Sequence, residues 1–228
     1  MNEVPMIDTS NTQAFADISQ TRRSAYGHEP DILADIYRQD TNISVWQRGS
    51  FSTLSQSVAD FLVANPHFER NQTVAANNVQ KDVSTLIGSN DFSPLSDDIV
   101  QLVDMFCYLF DLKAAGFRMA VLNRAMCPRF HVDNVPCRLV STYHGEATQW
   151  IPHHCTDRSK LGRGNNGLPD DESGLYSHPN DIEQVDCFDV ALLKGELWEG
   201  NEGFGLVHRS PTVADNQQRL FLSLDFSI

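Results

Sequence analysis

The sequence has no C-x-x-C pair, no apolar run long enough to span a bilayer and no surplus of basic charge. Each absence removes a class of function. Five cysteines (Cys107, Cys127, Cys137, Cys155 and Cys187) are scattered over 228 residues, and an odd, unpaired set favours reduced thiols over a disulfide framework. A transmembrane helix needs about 18 or more consecutive apolar residues, and polar residues interrupt every run before that. The opening MNEVPMIDTSNTQ is acidic and polar, without the basic and apolar regions of a secretion signal. A cytoplasmic protein with no membrane partner is expected. Thirty acidic against 17 basic residues give a formal charge of −13. Nucleic acid would be repelled, so no nucleic-acid partner is expected, although a local pocket can still be basic.

What is present is a chain whose texture changes midway. With 41% hydrophobic residues it can bury a real core. Residues 1–30 read as a polar, loosely ordered lead-in, and 31–116 as a mainly helical segment. Within that segment NISVWQ (42–47) is a strand candidate, and Leu54, Val58, Phe61 and Leu62 recur at helical spacing before Pro66. Val79, Val83 and Leu86 suggest a short helix. A longer helix is expected over 97–115, capped by Ser96 and stopped by Gly116, with Ile99, Leu102, Val103, Phe106, Leu109 and Phe110 as its apolar face. From 117 to 228 short β-rich runs (117–123, 138–143, 188–194, 205–208 and 219–226) alternate with Gly, Pro, Asn and Asp, broken by a polar insertion at 156–186. The fold class is α+β: helices first, then strands closing as a small barrel or sandwich.

The chemistry concentrates in PRFHVDNVP (128–136). Residues two apart on an extended strand share a face, so His131 and Asp133 can bind one cation together. A third ligand must come from afar, and His208, ending the apolar run GLVH, is the candidate. On the last strand Arg219, Phe221, Ser223 and Asp225 share one face and Leu220, Leu222, Leu224 and Phe226 the other. If the leucines face the helices, Arg219 looks into the barrel, where burial demands an anion: a protein carboxylate or one on a ligand.

His131-x-Asp133, then His208, then Arg219 one hairpin later, resembles the iron(II)/2-oxoglutarate-dependent dioxygenases, and DVALLKGE…GLVHRSP looks like their approach to the distal histidine. The likeness covers roughly 117–228. More narrowly, CPRFHVDNVPCRLVSTYHG resembles a bacterial domain family of unknown function, which adds no chemistry. The dioxygenase resemblance implies N-terminal helices packed on a double-stranded β-helix (jelly-roll, cupin-like) barrel. It implies Fe(II) held by His131, Asp133 and His208, with Arg219 gripping the distal carboxylate of 2-oxoglutarate, and an oxygenase acting on an unidentified substrate. Asn134, Thr142 and Tyr143 are candidates for orienting the ligands. This chain departs from the family in having Phe221 where many relatives carry serine, and Arg209 beside His208 is a competing arginine.

Other readings stay open on the residues alone. Two histidines and a carboxylate also suit Zn(II), giving a metal-binding cupin for sensing or homeostasis without turnover. A non-catalytic interaction barrel is a third reading. His144, His153, His154 and Cys155 carry zinc-type ligand atoms without paired spacing and read more simply as surface residues. Asp170–Glu172 read as a solvated face. Substrate and oligomeric state leave no signal in the sequence.

Overall fold

Helix α1, Ser52–Ala64, forms where the apolar spacing predicts it, in a computed structural model that describes residues 21–49, 51–88 and 92–227. Leu54, Val58, Phe61 and Leu62 are its buried stripe, and the Asn65 side chain donates to the Phe61 carbonyl at its end. Helix α2 is Val79–Ile87 and α3 is Ser93–Leu109. Helix α3 starts before the expected Ser96, because Pro94 in its first turn has no N–H to lose. It also stops well before Gly116. Asp111 takes a left-handed φ of 51°, and the Leu112 N–H bonds back to the Cys107 carbonyl at 2.8 Å, a Schellman-type closure.

Ten strands lie among the described residues: β1 Arg23–Gly27, β2 Thr41–Trp46, β3 Glu69–Ala75, β4 Ala114–Leu122, β5 Cys137–His144, β6 Gln149–Ile151, β7 Glu183–Gln184, β8 Val190–Lys194, β9 Val207–Arg209 and β10 Arg219–Phe226. Seven form one sheet in the order β1-β2-β8-β5-β10-β4-β3, and three form a second in the order β7-β6-β9. Every pairing is antiparallel except β1 with β2. The stretch expected to be mainly helical thus also supplies β2 and β3 to the sheet. Strand β3 (ERNQTVA) escapes hydrophobic patterning because it is an edge, mostly exposed. Of the expected lead-in, 1–20 lies outside the described residues, and β1 follows it.

Two cores flank the large sheet. On its outer face Leu220, Leu222 and Leu224 of β10 join Leu139, Leu192 and Phe117 beneath Phe61, Val83, Leu102 and Phe106 of the three helices. On its inner face Ile43, Val140, Leu193 and Phe221 meet Trp150, Val185 and Leu206 from around the smaller sheet. The alternation of β10 therefore sends its leucines to the helices and Arg219 between the sheets. No helix among the described residues is long and apolar enough to cross a membrane.

Lys194, closing β8, is 1% exposed; its ammonium donates to the Arg38 carbonyl at 2.9 Å and lies 4.8 Å from the Trp198 ring centroid, with no carboxylate in ion-pair reach among the described residues. Burial lowers its pKa from 10.5 to about 8. Between those two values the unfolded chain holds more protons than the folded one, so this lysine's contribution to stability rises with pH across that window. Urea unfolding at stepped pH should show a rise, on the order of 1–3 kcal/mol, that is absent in Lys194→Met.

Candidate metal centre

His131 and His208 meet as an antiparallel bridge in which each backbone N–H donates to the other's carbonyl, both at 3.0 Å. His208 belongs to β9, and His131 lies on the extended segment beside it. Each ring is then fixed by its own strand: His131 Nδ1 bonds the Arg129 carbonyl at 2.9 Å and His208 Nδ1 the Leu206 carbonyl at 3.1 Å. A carbonyl only accepts, so Nδ1 carries a proton and Nε2 is left facing Asp133; a metal would take the Nε2 lone pair in place of the proton that bonds the carboxylate.

Both Nε2 atoms converge on Asp133, at 3.4 Å from Oδ1 for His131 and 3.2 Å from Oδ2 for His208. The three ligand atoms lie within 4.8 Å of one another, and among the described residues no other group of His, Cys, Asp or Glu gathers this way. His144 ends β5 exposed, and His153–Cys155 form a short 3-10 turn; they make no second centre. The Asp133 backbone is seated by the Gly195–Leu197 turn, whose Glu196 N–H donates to the Asp133 carbonyl at 2.9 Å. A Cβ on Gly195 would fall 2.0 Å from the Val135 carbonyl oxygen, so only glycine lets the two segments approach.

The group that orients Asp133 is Arg138 on β5, whose Nη1 donates to Oδ2 at 2.6 Å while Nε and Nη2 grip Asp225 at 2.7 and 3.0 Å. The β5–β10 register places Arg138 opposite Asp225, and only that pairing, invisible in the sequence, reveals its role. Of the candidates proposed for orienting the ligands, Thr142 serves Arg219 and Tyr143 donates to Asp98 on the helix side. Burial works against the Asp133 carboxylate, but hydrogen bonds from His131 and His208 and the Arg138 charge outweigh it and hold the group well below the usual range. The Asp133 bond in turn raises the His131 pKa against burial.

Arg219 is 1% exposed and has only hydroxyls for company: Nη1 reaches Ser210 Oγ at 3.0 Å, and Nη2 reaches Thr142 and Thr148 Oγ1 at 3.1 and 3.3 Å. Its guanidinium lies over the Phe221 ring, 4.4 Å from the centroid, and Nε has no hydrogen-bond partner. No carboxylate stands within ion-pair reach among the described residues, and burial lowers its pKa to about 10. Arg219 lines a cavity of about 210 Å³ together with His131, His208 and Arg138. Arg209 lines it too but is already engaged by Asp170 and Gln149.

Asp170 is not a solvated acid. At 8% exposure it accepts the Phe130 N–H at 2.9 Å and pairs with Arg129 at 3.0 Å and Arg209 at 3.6 Å. One carboxylate in the 156–186 insertion thereby touches the neighbours of both histidines. Around it Leu175 packs with Phe130, Ile151 and Val207 in a third apolar cluster. The insertion is a staple for the ligand strands. Asp170→Ala should weaken metal binding roughly tenfold, the range for groups that orient metal ligands, as read by competition with a chromogenic chelator.

A family model described as protein of unknown function (DUF1826) matches residues 27–225. No curated protein matches the sequence. Among solved structures, the rice dioxygenase for auxin oxidation aligns at 10% identity and a TM-score of 0.50, covering 90% of this chain and 82% of that one. HygX from Streptomyces hygroscopicus with iron bound aligns at 13% identity and 0.45, covering 86% and 85%. A Pseudomonas putida prolyl-4-hydroxylase aligns at 10% and 0.43, covering 86% and 96%. The likeness to the rice dioxygenase is one of fold: helices packed on a seven-stranded mixed sheet that faces a three-stranded one.

Proposed function

The chain belongs to the DUF1826 family, and for it we propose a non-haem iron(II) oxygenase that consumes 2-oxoglutarate and O2 to oxidise a substrate not yet identified. The observation that carries this reading is Arg219, a buried guanidinium without a carboxylate in ion-pair reach among the described residues, in the cavity that the two histidines also line. An isolated buried cation is costly, and an anionic ligand placed next to a metal resolves the cost. That the rice neighbour is a dioxygenase supports the same class.

His131, Asp133 and His208 would hold the metal. Three protein ligands with further coordination positions open form the donor set that suits iron(II). Bound there, iron(II) supplies activation of O2 coupled to the oxidative decarboxylation of 2-oxoglutarate to succinate and CO2. The chain's own residues prepare the ground. The Nδ1–carbonyl bonds keep both Nε2 lone pairs directed at the centre. Arg138 holds one oxygen of Asp133 and keeps the group ionised. Arg219 would present its hydroxyl-held fork to the distal carboxylate, in a site dry enough to strengthen that contact.

Anaerobic titration of the iron(II)-loaded protein should show 2-oxoglutarate binding, and admission of O2 should release succinate. Arg219→Met should weaken 2-oxoglutarate binding by roughly 30-fold or more, as for loss of a buried charge partner, with iron affinity little changed. Iron binding without any 2-oxoglutarate binding, or an Arg219→Met protein equal to wild type, would leave a metal-binding barrel and no dioxygenase.

A further inference from the structure

We propose that Asp225 is a positioning residue for the metal centre. By holding the fork of Arg138, it keeps that arginine from closing on Asp133 and leaves the ligand carboxylate open to a metal. Asp225 is not one of the three ligands, and Arg138 is its ion-pair partner among the described residues. The inference rests on reading His131, Asp133 and His208 as a metal centre and needs neither 2-oxoglutarate nor O2.

Asp133 and Arg138 stand five residues apart on one run of chain, so the contact between them is local. A guanidinium beside a carboxylate frequently grips it with two parallel N–H bonds. Gripped so, both oxygens of Asp133 would be committed to a fixed cation, and a metal would have to displace it. The observed contact is different. Only Nη1 reaches Asp133, at 2.6 Å from Oδ2, and Oδ1 is left facing His131 Nε2 at 3.4 Å. The other edge of the guanidinium, Nε with Nη2, goes to Asp225 at 2.7 and 3.0 Å. The two-pronged grip exists, but it falls on a carboxylate that pairs with neither histidine.

The sheet decides which carboxylate takes the fork. Strands β5 and β10 are antiparallel neighbours with Arg138 directly opposite Asp225, and directly opposed side chains on one face are close enough to pair. On the other side of β10, Gly116 stands opposite Asp225 and has no side chain to draw the carboxylate away. Arg138 is therefore anchored by a strand register and reaches Asp133 with the one nitrogen that remains. All three side chains are mostly buried, so they compete in a partly dried space where charged contacts are strengthened. Charge points the same way. Asp133 and Asp225 against Arg138 leave one negative charge beside the histidines, and an uncharged residue at 225 would leave none to draw in a divalent cation.

The test titrates cobalt(II) into the full chain in competition with a chromogenic chelator. Asp225→Asn, of the same size but uncharged, should bind cobalt(II) roughly tenfold more weakly or worse. Adding Arg138→Met should reverse part of that loss, because the released guanidinium is what blocks Asp133. The double variant should bind cobalt(II) about threefold or more tighter than Asp225→Asn alone. A residue that merely supports the fold would not give this reversal, since a second lesion in the same ion pair leaves binding no better. Asp225→Ser, smaller and equally uncharged, carries the same expectations should the asparagine variant not fold. An uncharged residue at 225 that leaves affinity within about twofold of wild type, or a double variant no tighter than the single one, overturns the proposal. So does a wild-type chain that takes up no metal, which removes the centre as well. A chain that shows the reversal but releases no succinate keeps the role of Asp225 and loses only the oxygenase.

Discussion

The reciprocal pair of backbone hydrogen bonds between His131 and His208 is the constraint on which the site depends. It joins segments far apart in sequence and fixes both ring-bearing backbones before any side chain is considered. Because a bridged antiparallel pair places its two side chains on the same face, the rings must rise together, and their centroids stand 4.6 Å apart. Asp133 then falls beneath them by simple alternation from His131. A one-residue slip of β9 would turn His208 to the opposite face and dissolve the cluster. The elements that prevent the slip are specific: the Gly195 turn under Asp133, the Asp170 carboxylate on Phe130 and Arg209, and the Leu175–Phe130–Val207 cluster.

Electrostatics within the cavity oppose those of the whole chain. The chain carries a formal charge of −13, yet Arg118, Arg138, Arg209 and Arg219 all line one space between the sheets. Two of them are spent internally, Arg138 on Asp133 and Asp225 and Arg209 on Asp170. Of the other two, Arg118 pairs with the exposed Glu69, and Arg219 has hydroxyls as its hydrogen-bond partners. Net charge governs encounter with large polyanions at a distance, whereas a recessed cluster of guanidinium groups governs which small anions are retained once inside.

How much of this was legible in the sequence follows from which interactions are local. Strand alternation placed His131 with Asp133, and the leucines of β10 opposite Arg219, because period two is a property of any extended chain. The apolar stripe of α1 was readable for the same reason. Helix α3 departs from its sequence expectation at both ends: Pro94 opens it early, and it stops at a left-handed Asp111, a residue that gives a weaker stop signal than glycine. The role of Arg138 depends on the β5–β10 register, and that of Asp170 on a contact across the insertion to Phe130. Neither leaves a periodic trace. A buried acid inside a polar loop looks like any other solvated acid until its partners are known, and β3 was hidden because an exposed edge has no apolar face to display.

Phe221 is the residue that most separates this chain from the pattern it otherwise resembles, and the structure gives it a physical rationale. A serine at that position would add one hydroxyl acceptor for the arginine. Here Ser210, Thr142 and Thr148 already supply three, and the Phe221 ring covers the guanidinium face at 4.4 Å. A ring in that position offers the cation some attraction but admits no water to solvate it, which is consistent with burial pulling the Arg219 pKa down to about 10. Exchanging hydroxyl for aromatic thus trades a permanent partner for a dry wall. The cation is left more dependent on an incoming anion, and a carboxylate arriving there meets little competing water. The departure at Phe221 therefore strengthens the case that Arg219 binds a ligand instead of closing an internal salt bridge.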